Sequence, residues 1–212
     1  MIGIKKGTKV LVVGAHPDDF EIGCSGLLQK YKGSIDLKIA VFSDRMDTGE
    51  MRNLDEQFDS LKILKIDPAS LQVFDIPTRI FHDYKSKIRN YLLSIKQEFN
   101  PEVILCPALH DIHQDHIVLA EETIRIFREK SVLGFEVLRS GYGFNPNLHV
   151  ELSEEMVETK IKSAQCYKSQ FTTTKSGGYY FNSNVMKGLM FARGGQYGIP
   201  YAEGFEVYQL KM

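Results

Sequence analysis

Two short segments contain most of the side chains that could act as acids, bases or metal ligands. The first is Gly14–Glu21, which reads GAHPDDFE, and the second is His110–His116, which reads HDIHQDH. Together they hold four of the chain's six histidines and five acidic residues. Imidazole and carboxylate groups are suitable ligands for Zn²⁺, and a catalytic zinc usually has three protein ligands and one open position. The two segments therefore predict one catalytic metal site.

The spacing within the segments indicates how they would serve such a site. His16 and Asp19 are three residues apart at a predicted strand-to-helix junction, so a tight turn can bring both to one ion. Asp18 cannot easily point the same way, and is left to act as a general base on water. The third ligand then comes from the second segment. His113, alone or with Asp115, could stabilise an oxyanion or protonate a leaving amine.

The elements that must position these residues alternate along the chain. Apolar, β-branched runs predict strands at Lys9–Gly14, Leu37–Ser43, Leu71–Phe74, Val103–Pro107, Glu136–Ser140, His149–Leu152 and Glu206–Leu210. Helical patterns lie at about Glu21–Lys32, Arg52–Lys65, Phe81–Phe99, Ile117–Lys130 and Ser153–Lys168. This order predicts a single Rossmann-like α/β domain over residues 1–212, with a mostly parallel sheet and helices on both faces.

A sheet of this kind also predicts where chemistry takes place. Its sites lie at the carboxyl ends of strands, beside the point where the strand order reverses. The first and fourth strands usually flank that point, and the two histidine-containing segments follow these two strands. The fold and the residue types therefore point independently to the same place.

The sequence AHPDDFEIGCSG, followed by HDIHQDH, resembles the PIG-L/LmbE-like family of zinc-dependent N-acetylglucosaminyl deacetylases. The likeness covers most of the chain, including Asp75-Ile76-Pro77 with Arg79 and the closing Tyr201–Phe205. It implies a Rossmann-like hydrolase that removes the acetyl or other acyl group from an N-acetylglucosamine-type amino sugar or its conjugate. Ser25 is a departure, since related sequences usually have glycine there, but it affects no ligand.

The resemblance also assigns roles residue by residue. Three residues are implied as ligands of Zn²⁺, or of another divalent metal such as Fe²⁺: His16, Asp19 and His116. Asp18 is implied as the general base, and His113 as the group that stabilises the oxyanion or acts as an acid. Asp115 would orient a histidine. Arg52 matches the position at which family members contact substrate hydroxyls or phosphate.

Composition narrows the partners and the location. Lys and Arg number 26 against 27 Asp and Glu, a net charge of -1, which argues against a dedicated nucleic-acid binder. No apolar run approaches the ~20 residues of a membrane span, and Val10–Val13 is too short for the core of a signal peptide. Three widely spaced cysteines are interpreted as reduced thiols: Cys24, Cys106 and Cys166. We expect a cytoplasmic enzyme acting on a small molecule. The oligomeric state stays open, although members of the family that the chain resembles are often homo-oligomers.

Several residues have a simpler interpretation. Asp18 and Asp19 could cap the following helix, although capping does not explain the His16-Pro17 pair before them. His110 is either a supporting residue or part of an exposed loop, and Cys24 is better explained as a small buried residue. Two isolated histidines are interpreted as structural: His82 and His149.

Two further features have both a functional and a structural interpretation. Arg52 could be a solvated residue at the start of its helix, although a cation is unfavourable at that end. Residues 171–204 are rich in Gly, Tyr and Phe, and could form a lid, an interface or a long connection packed on the domain.

Three other functions compete with amino-sugar deacetylation. A zinc amidase for a non-sugar or thiol-conjugate amide would use the same residues. A dinucleotide-binding protein is disfavoured, because Gly14–Asp19 lacks Gly-x-Gly-x-x-Gly and places two carboxylates where a pyrophosphate would lie. A non-catalytic module that keeps the fold is also disfavoured, because every expected ligand and the base are present.

Overall fold

The structure, a computed structural model, describes residues 4–49, 51, 54–172 and 178–211. They form a seven-stranded sheet in the order β3-β2-β1-β4-β5-β7-β6. The strands are β1 (Thr8–Gly14), β2 (Ile35–Val41), β3 (Leu71–Val73), β4 (Val103–Pro107), β5 (Ser131–Phe135), β6 (Leu148–Glu151) and β7 (Ala202–Gln209). Strands β1 to β5 pair in parallel, whereas β7 is antiparallel to both β5 and β6. The sheet is therefore mostly parallel, as predicted.

Helices cover both faces of this sheet. Those of the described residues are α1 (Asp19–Gly23), α2 (Ser25–Lys30), α3 (Asp55–Leu64), α4 (Lys85–Phe99), α5 (Gln114–Ile126), α6 (Glu154–Ala164), α7 (Lys168–Thr172) and α8 (Ser183–Gly195). Short 3-10 helices lie at Pro68–Ser70, Phe81–Tyr84 and Gly178–Phe181. Within the described ranges, no helix has both the length and the apolar character that a membrane span requires.

The side chains of β1 alternate between two hydrophobic cores. Val10 and Val12 pack with residues of α1, α2, α3, α6 and α8, whereas Leu11 and Val13 pack with residues of α4 and α5. All four side chains are fully buried. A strand that is buried on both faces has apolar residues at every position, which explains the continuous run in the sequence. The single α/β domain with helices on both faces is confirmed.

The sheet order brings the two histidine-containing segments together. β1 lies between β2 and β4, and Val12 pairs with Leu105. Because β1 and β4 are parallel, the loops that follow Gly14 and Pro107 leave the sheet at the same edge. The prediction that these two strands flank the reversal of strand order is confirmed.

One predicted strand is wrong. Glu136–Ser140 is not a strand, and the fifth strand is Ser131–Phe135 immediately before it. The error arises because Gly134 interrupts the run of residues that favour a strand, and glycine is itself depleted in strands. In the fold this glycine is required, because a Cβ atom there would lie 2.6 Å from the hydroxyl of Tyr208 on β7. The cross-strand neighbour therefore explains the glycine, and residues 136–140 follow β5 as a loop at the edge that bears the site.

Residues 171–204 contain more regular structure than the sequence suggested. α8 occupies Ser183–Gly195, and its Met186 and Met190 are buried in the core shared with α1 and α6. Residues 173–177 lie outside the described part of the chain. The packing of α8 favours the interpretation of a connection packed on the domain, and a lid or interface role for the segment stays a prediction.

Candidate metal centre and active site

A tight turn after β1 places two of the predicted ligands side by side. The backbone N–H of His16 donates to Asp19 Oδ2 at 2.9 Å, and the N–H of Asp19 lies 3.4 Å from the His16 carbonyl. Gly14 permits the turn, because a Cβ atom there would lie only 3.3 Å from that carbonyl oxygen. The other carboxylate oxygen, Asp19 Oδ1, is then 3.7 Å from His16 Nδ1. Local spacing and a glycine thus suffice to bring together two of the three candidate ligands.

The third ligand candidate comes from the first turn of α5. His116 Nε2 lies 3.2 Å from Asp19 Oδ1 and 3.3 Å from His16 Nδ1. Ligand atoms about 2.0–2.1 Å from a tetrahedral zinc are about 3.3–3.4 Å from one another. All three side chains are buried, and their donor atoms converge as a group able to hold one ion. His16, Asp19 and His116 therefore fit a tetrahedral metal in both donor chemistry and separation.

Carboxylates hold the outer nitrogens of both histidines. His16 Nε2 lies 3.1 Å from Asp115 Oδ2, and His116 Nδ1 lies 2.8 Å from Asp111 Oδ2. Such pairs fix which ring nitrogen faces a metal and increase its basicity. Asp115 thus contacts a histidine, as the resemblance implied. It also accepts the backbone N–H of Arg79 at 2.6 Å, an interaction that ties the loop after β3 to the site.

Asp111 is a supporting residue whose role the sequence pattern did not indicate. Its Oδ1 accepts the N–H of His113 at 2.7 Å, and its Oδ2 accepts the hydroxyl of Ser140 at 2.9 Å. It is 3% exposed, so these bonds and the one to His116 hold its charge in the interior. The available signal was a carboxylate five residues before a ligand histidine, but that spacing does not reveal which ring it meets.

The electrostatics of the cluster favour a cation. Burial favours the neutral form of His116, but the charges of Asp19 and Asp111 outweigh it and raise the pKa of this histidine to about 10. Burial likewise opposes ionisation of Asp19, yet His116 and His16 bring its pKa well below the usual range. The buried carboxylates thus attract positive charge to the centre between the imidazoles, where a divalent ion would be stabilised.

His113 lies beside this group rather than in it. Its ring centroid is 4.8 Å from that of His16 and 4.6 Å from that of His116. Burial, followed by repulsion from those two histidines, lowers the pKa of His113 to about 4, so it is neutral at neutral pH. Its Nδ1 accepts the N–H of Asp115 at 3.2 Å. Since Nδ1 is an acceptor, the proton of the neutral ring resides on Nε2.

A second grouping of possible ligands joins His113 and Asp115 to His16. Both Asp115 oxygens already accept hydrogen bonds from the loop after β3, at 2.6 Å from the N–H of Arg79 and 3.4 Å from that of Phe81. In the first grouping the three ligand atoms face one another, and carboxylates contact the opposite nitrogens of both histidines. We therefore favour His16, Asp19 and His116 over this alternative.

Asp18 occupies the N-cap position of α1 without acting as its cap. Within the described residues, its side chain makes no capping hydrogen bond to α1. It is 8% exposed, and burial followed by the charge of Asp18 raises the pKa of Tyr180. The helix-capping explanation for this carboxylate is therefore not supported, and the direction of its side chain stays a prediction.

The remaining predicted residues lie elsewhere. Arg52 is outside the described residues, so its predicted substrate contact stays a prediction. His110 has a 64% exposed side chain paired with Glu206 at 3.1 Å, and it takes no part in the cluster. Cys24 is buried between α1 and α2, and all three cysteines are free thiols, as expected. Ser25 donates its hydroxyl to the Glu21 carbonyl at 2.8 Å.

Comparison with known proteins shows the family of the chain. A family model described as PIG-L: GlcNAc-PI de-N-acetylase matches residues 11–127, more than half of the chain. The chain is 25% identical over 176 residues to a protein of Escherichia coli (strain K12) called "Uncharacterized deacetylase YaiS", covering 76% of this chain and 90% of that one.

Solved structures share the fold. N,N'-diacetylchitobiose deacetylase from Pyrococcus horikoshii aligns with a TM-score of 0.68 and 15% identity, over 94% of this chain and 83% of that one. GalB, the 4-carboxy-2-hydroxymuconate hydratase from Pseudomonas putida KT2440, aligns with a TM-score of 0.73 and 18% identity, over 97% and 98%. The fold thus hosts more than one reaction. The family match, however, contains both the turn after β1 and the first turn of α5, and the chain belongs to the PIG-L family of de-N-acetylases.

Proposed function

We propose that this protein is a zinc-dependent N-deacetylase that removes the acetyl or another acyl group from an amino sugar or its conjugate. The observation that carries the proposal is the convergence of His16 Nδ1, Asp19 Oδ1 and His116 Nε2 at mutual distances of 3.2, 3.3 and 3.7 Å. Membership of a de-N-acetylase family supports the reaction type. Bound zinc would supply Lewis acidity, polarising the substrate carbonyl and lowering the pKa of water to about 7.

Asp18 is the proposed general base. It takes a proton from water as the oxygen attacks the amide carbonyl, and then gives that proton to the nitrogen as the C–N bond breaks. The products are a carboxylate such as acetate and the free amine. One carboxylate can serve both steps because the proton that it removes is the one that the leaving amine needs.

His113 is the proposed donor to the oxyanion. With its proton on Nε2 and its Nδ1 held by the Asp115 N–H, the neutral ring offers one fixed hydrogen-bond donor beside the cluster. A single well-placed donor of this kind contributes about 3–4 kcal/mol to transition-state stabilisation. The low pKa of His113 favours this role over that of a proton-donating acid.

The amino-sugar substrate is supported by the family description and by the chitobiose deacetylase among similar structures. An amide of a non-sugar amine or a thiol conjugate would use the same groups and remains the alternative. The hydratase that shares the fold adds a second alternative, water addition without release of an amine. Zinc as the native metal, a cytoplasmic location and a homo-oligomeric state remain predictions.

Metal analysis combined with a product screen tests the proposal. The purified protein is assayed for amine and carboxylate release from N-acetylglucosamine, diacetylchitobiose, an N-acetylated sugar nucleotide and an N-acylated thiol conjugate. We expect stoichiometric zinc and release from at least one sugar substrate. Release from the thiol conjugate alone would favour the amidase alternative, and absence of release from all four would refute the deacetylase proposal.

A further inference from the structure

A buried polar cluster contacts the turn that carries Asp18. Tyr167, between α6 and α7, is 3% exposed, while Glu21 on α1 and Ser60 on α3 are fully buried. The Tyr167 hydroxyl is hydrogen-bonded to the Pro17 carbonyl and lies 2.8 Å from Glu21 Oε1. The Ser60 hydroxyl donates to the same Glu21 oxygen at 2.7 Å. Residues from three distant parts of the chain therefore meet at the catalytic turn.

The bond between Tyr167 and Pro17 has one possible direction. A backbone carbonyl can only accept, so the Tyr167 hydroxyl donates its hydrogen to the Pro17 carbonyl. Glu21 Oε1 lies 2.8 Å from the same hydroxyl oxygen and also accepts the Ser60 hydroxyl, so the Glu21 carboxyl group helps to fix where the tyrosine oxygen lies.

Glu21 has few polar partners in the interior. It is fully buried, its Oε1 contacts the hydroxyl groups of Tyr167 and Ser60, and its Oε2 has no hydrogen-bond partner among the described residues. Loss of either hydroxyl contact would leave a buried polar group with still fewer partners, which is costly. The contact with Glu21 therefore restrains the tyrosine hydroxyl that holds the Pro17 carbonyl.

Pro17 lies between the ligand His16 and the base Asp18. It has no N–H, so its carbonyl is the one backbone group by which this residue can be held by a hydrogen bond. This carbonyl belongs to the peptide bond that joins Pro17 to Asp18. A hydrogen bond to the carbonyl therefore restrains the orientation of the peptide that presents the base.

We propose that Tyr167 is a positioning residue whose hydroxyl, oriented by Glu21, fixes the Pro17–Asp18 peptide and so aims the Asp18 carboxylate. This inference rests on the proposed role of Asp18. It adds a residue about 150 positions away in the chain, whose effect on the reaction passes entirely through Asp18.

The variant Tyr167→Phe tests the inference, because it removes the hydroxyl and retains the ring. We expect kcat to fall roughly 10-fold or more with KM nearly unchanged, since a misaimed base affects the chemical step rather than substrate binding. Ser169→Ala is the matched control. It removes a 2.6 Å bond from the same segment to Glu56 on α3 without touching the catalytic turn, so stability falls and kcat stays the same.

Two substitutions of Glu21 test its role in orienting Tyr167. Glu21→Gln keeps a side chain that can hydrogen-bond to the tyrosine hydroxyl, whereas Glu21→Met does not. We expect Glu21→Gln to retain more kcat than Glu21→Met. We also expect Glu21→Met and Tyr167→Phe to be non-additive in the double variant, because both break the same chain of bonds. Additive losses would contradict a shared pathway through the Pro17 carbonyl.

Crystal structures of the wild type and of Tyr167→Phe separate this inference from the proposed function. If the wild type deacetylates its substrate and Tyr167→Phe has the same kcat, the positioning role is refuted and the function stands. If the wild type has no activity, the function fails, and the positioning role is judged from the structures alone. A displaced Asp18 relative to His16 in the variant then supports it, and superimposable turns overturn it.

Discussion

The Oδ2 atom of Asp111 lies 2.8 Å from Nδ1 of His116, and this contact turns the opposite nitrogen of the ring towards Asp19 and His16. Asp111 is itself fixed by the hydroxyl of Ser140, in the loop after β5. The position of His116 on α5 thus depends on Asp111 in the loop after β4. Through the hydroxyl of Ser140, it also depends on the loop after β5.

Asp111→Asn should weaken zinc binding. The amide keeps the size of the side chain but loses the charge that supports His116, and changes of this kind cost about 10- to 100-fold in metal affinity. Competition with a chromogenic chelator measures the dissociation constant. Asp67→Asn is the control, because Asp67 is an exposed carboxylate whose one side-chain hydrogen bond to the described residues comes from the N–H of Ala69 at 2.9 Å. Equal affinities in both variants would contradict the supporting role of Asp111.

Asp18→Asn should abolish turnover while zinc stays bound. The amide cannot accept a proton, and loss of a general base costs about 10²- to 10⁴-fold in rate. Steady-state kinetics and metal content by atomic emission are measured on the same preparation. His116→Ala is the contrasting variant, and should lose the metal together with the activity. Full activity in Asp18→Asn would exclude Asp18 as the base.

The metal-free protein should lose stability as pH rises above neutrality. The pKa of His116 is raised from 6.5 to about 10 in the folded state by Asp19 and Asp111, in spite of burial. The folded state therefore holds more protons than the unfolded state between these values, so stability falls with increasing pH across this range. Bound zinc replaces the proton and removes this dependence.

Melting temperatures between pH 6 and pH 10, measured with and without zinc, test this prediction. We expect a decline in the metal-free protein and a flatter profile in the zinc-bound protein, since the ligand histidine is then held deprotonated. Parallel profiles in the two states would show that His116 does not carry the dependence.

Gly23→Ala should destabilise the domain next to the site. A Cβ atom at Gly23 would lie 2.1 Å from the ring of Phe135 at the end of β5, so α1 or the ring must shift. Overpacking of this kind costs about 1–3 kcal/mol in the free energy of unfolding. Gly188→Ala on α8 is the control, because nothing lies within 4 Å of its Cβ position, and it should stabilise the helix by about 0.5–1 kcal/mol. Urea unfolding measures both.

Much of the site follows from local sequence. The three-residue spacing of His16 and Asp19 and the apolar run of β1 depend on neighbours in the chain, so the turn, the strand and the edge that bears the site were predictable. The resemblance added the choice of His116 rather than His113 as third ligand, and the distances agree with it.

Other features depend on contacts between distant residues. Asp111 and Asp115 are both near the ligand histidines in sequence, but only the packing of α5 against β1 decides that Asp115 meets His16 and Asp111 meets His116. Gly134 lies within β5 because Tyr208 of another strand fills the space that a larger side chain would need. Chain spacing and hydrophobic period therefore determined which residues could do the chemistry. Their orientation was decided by long-range packing, because hydrogen-bond direction and side-chain clashes depend on partners that no local pattern contains.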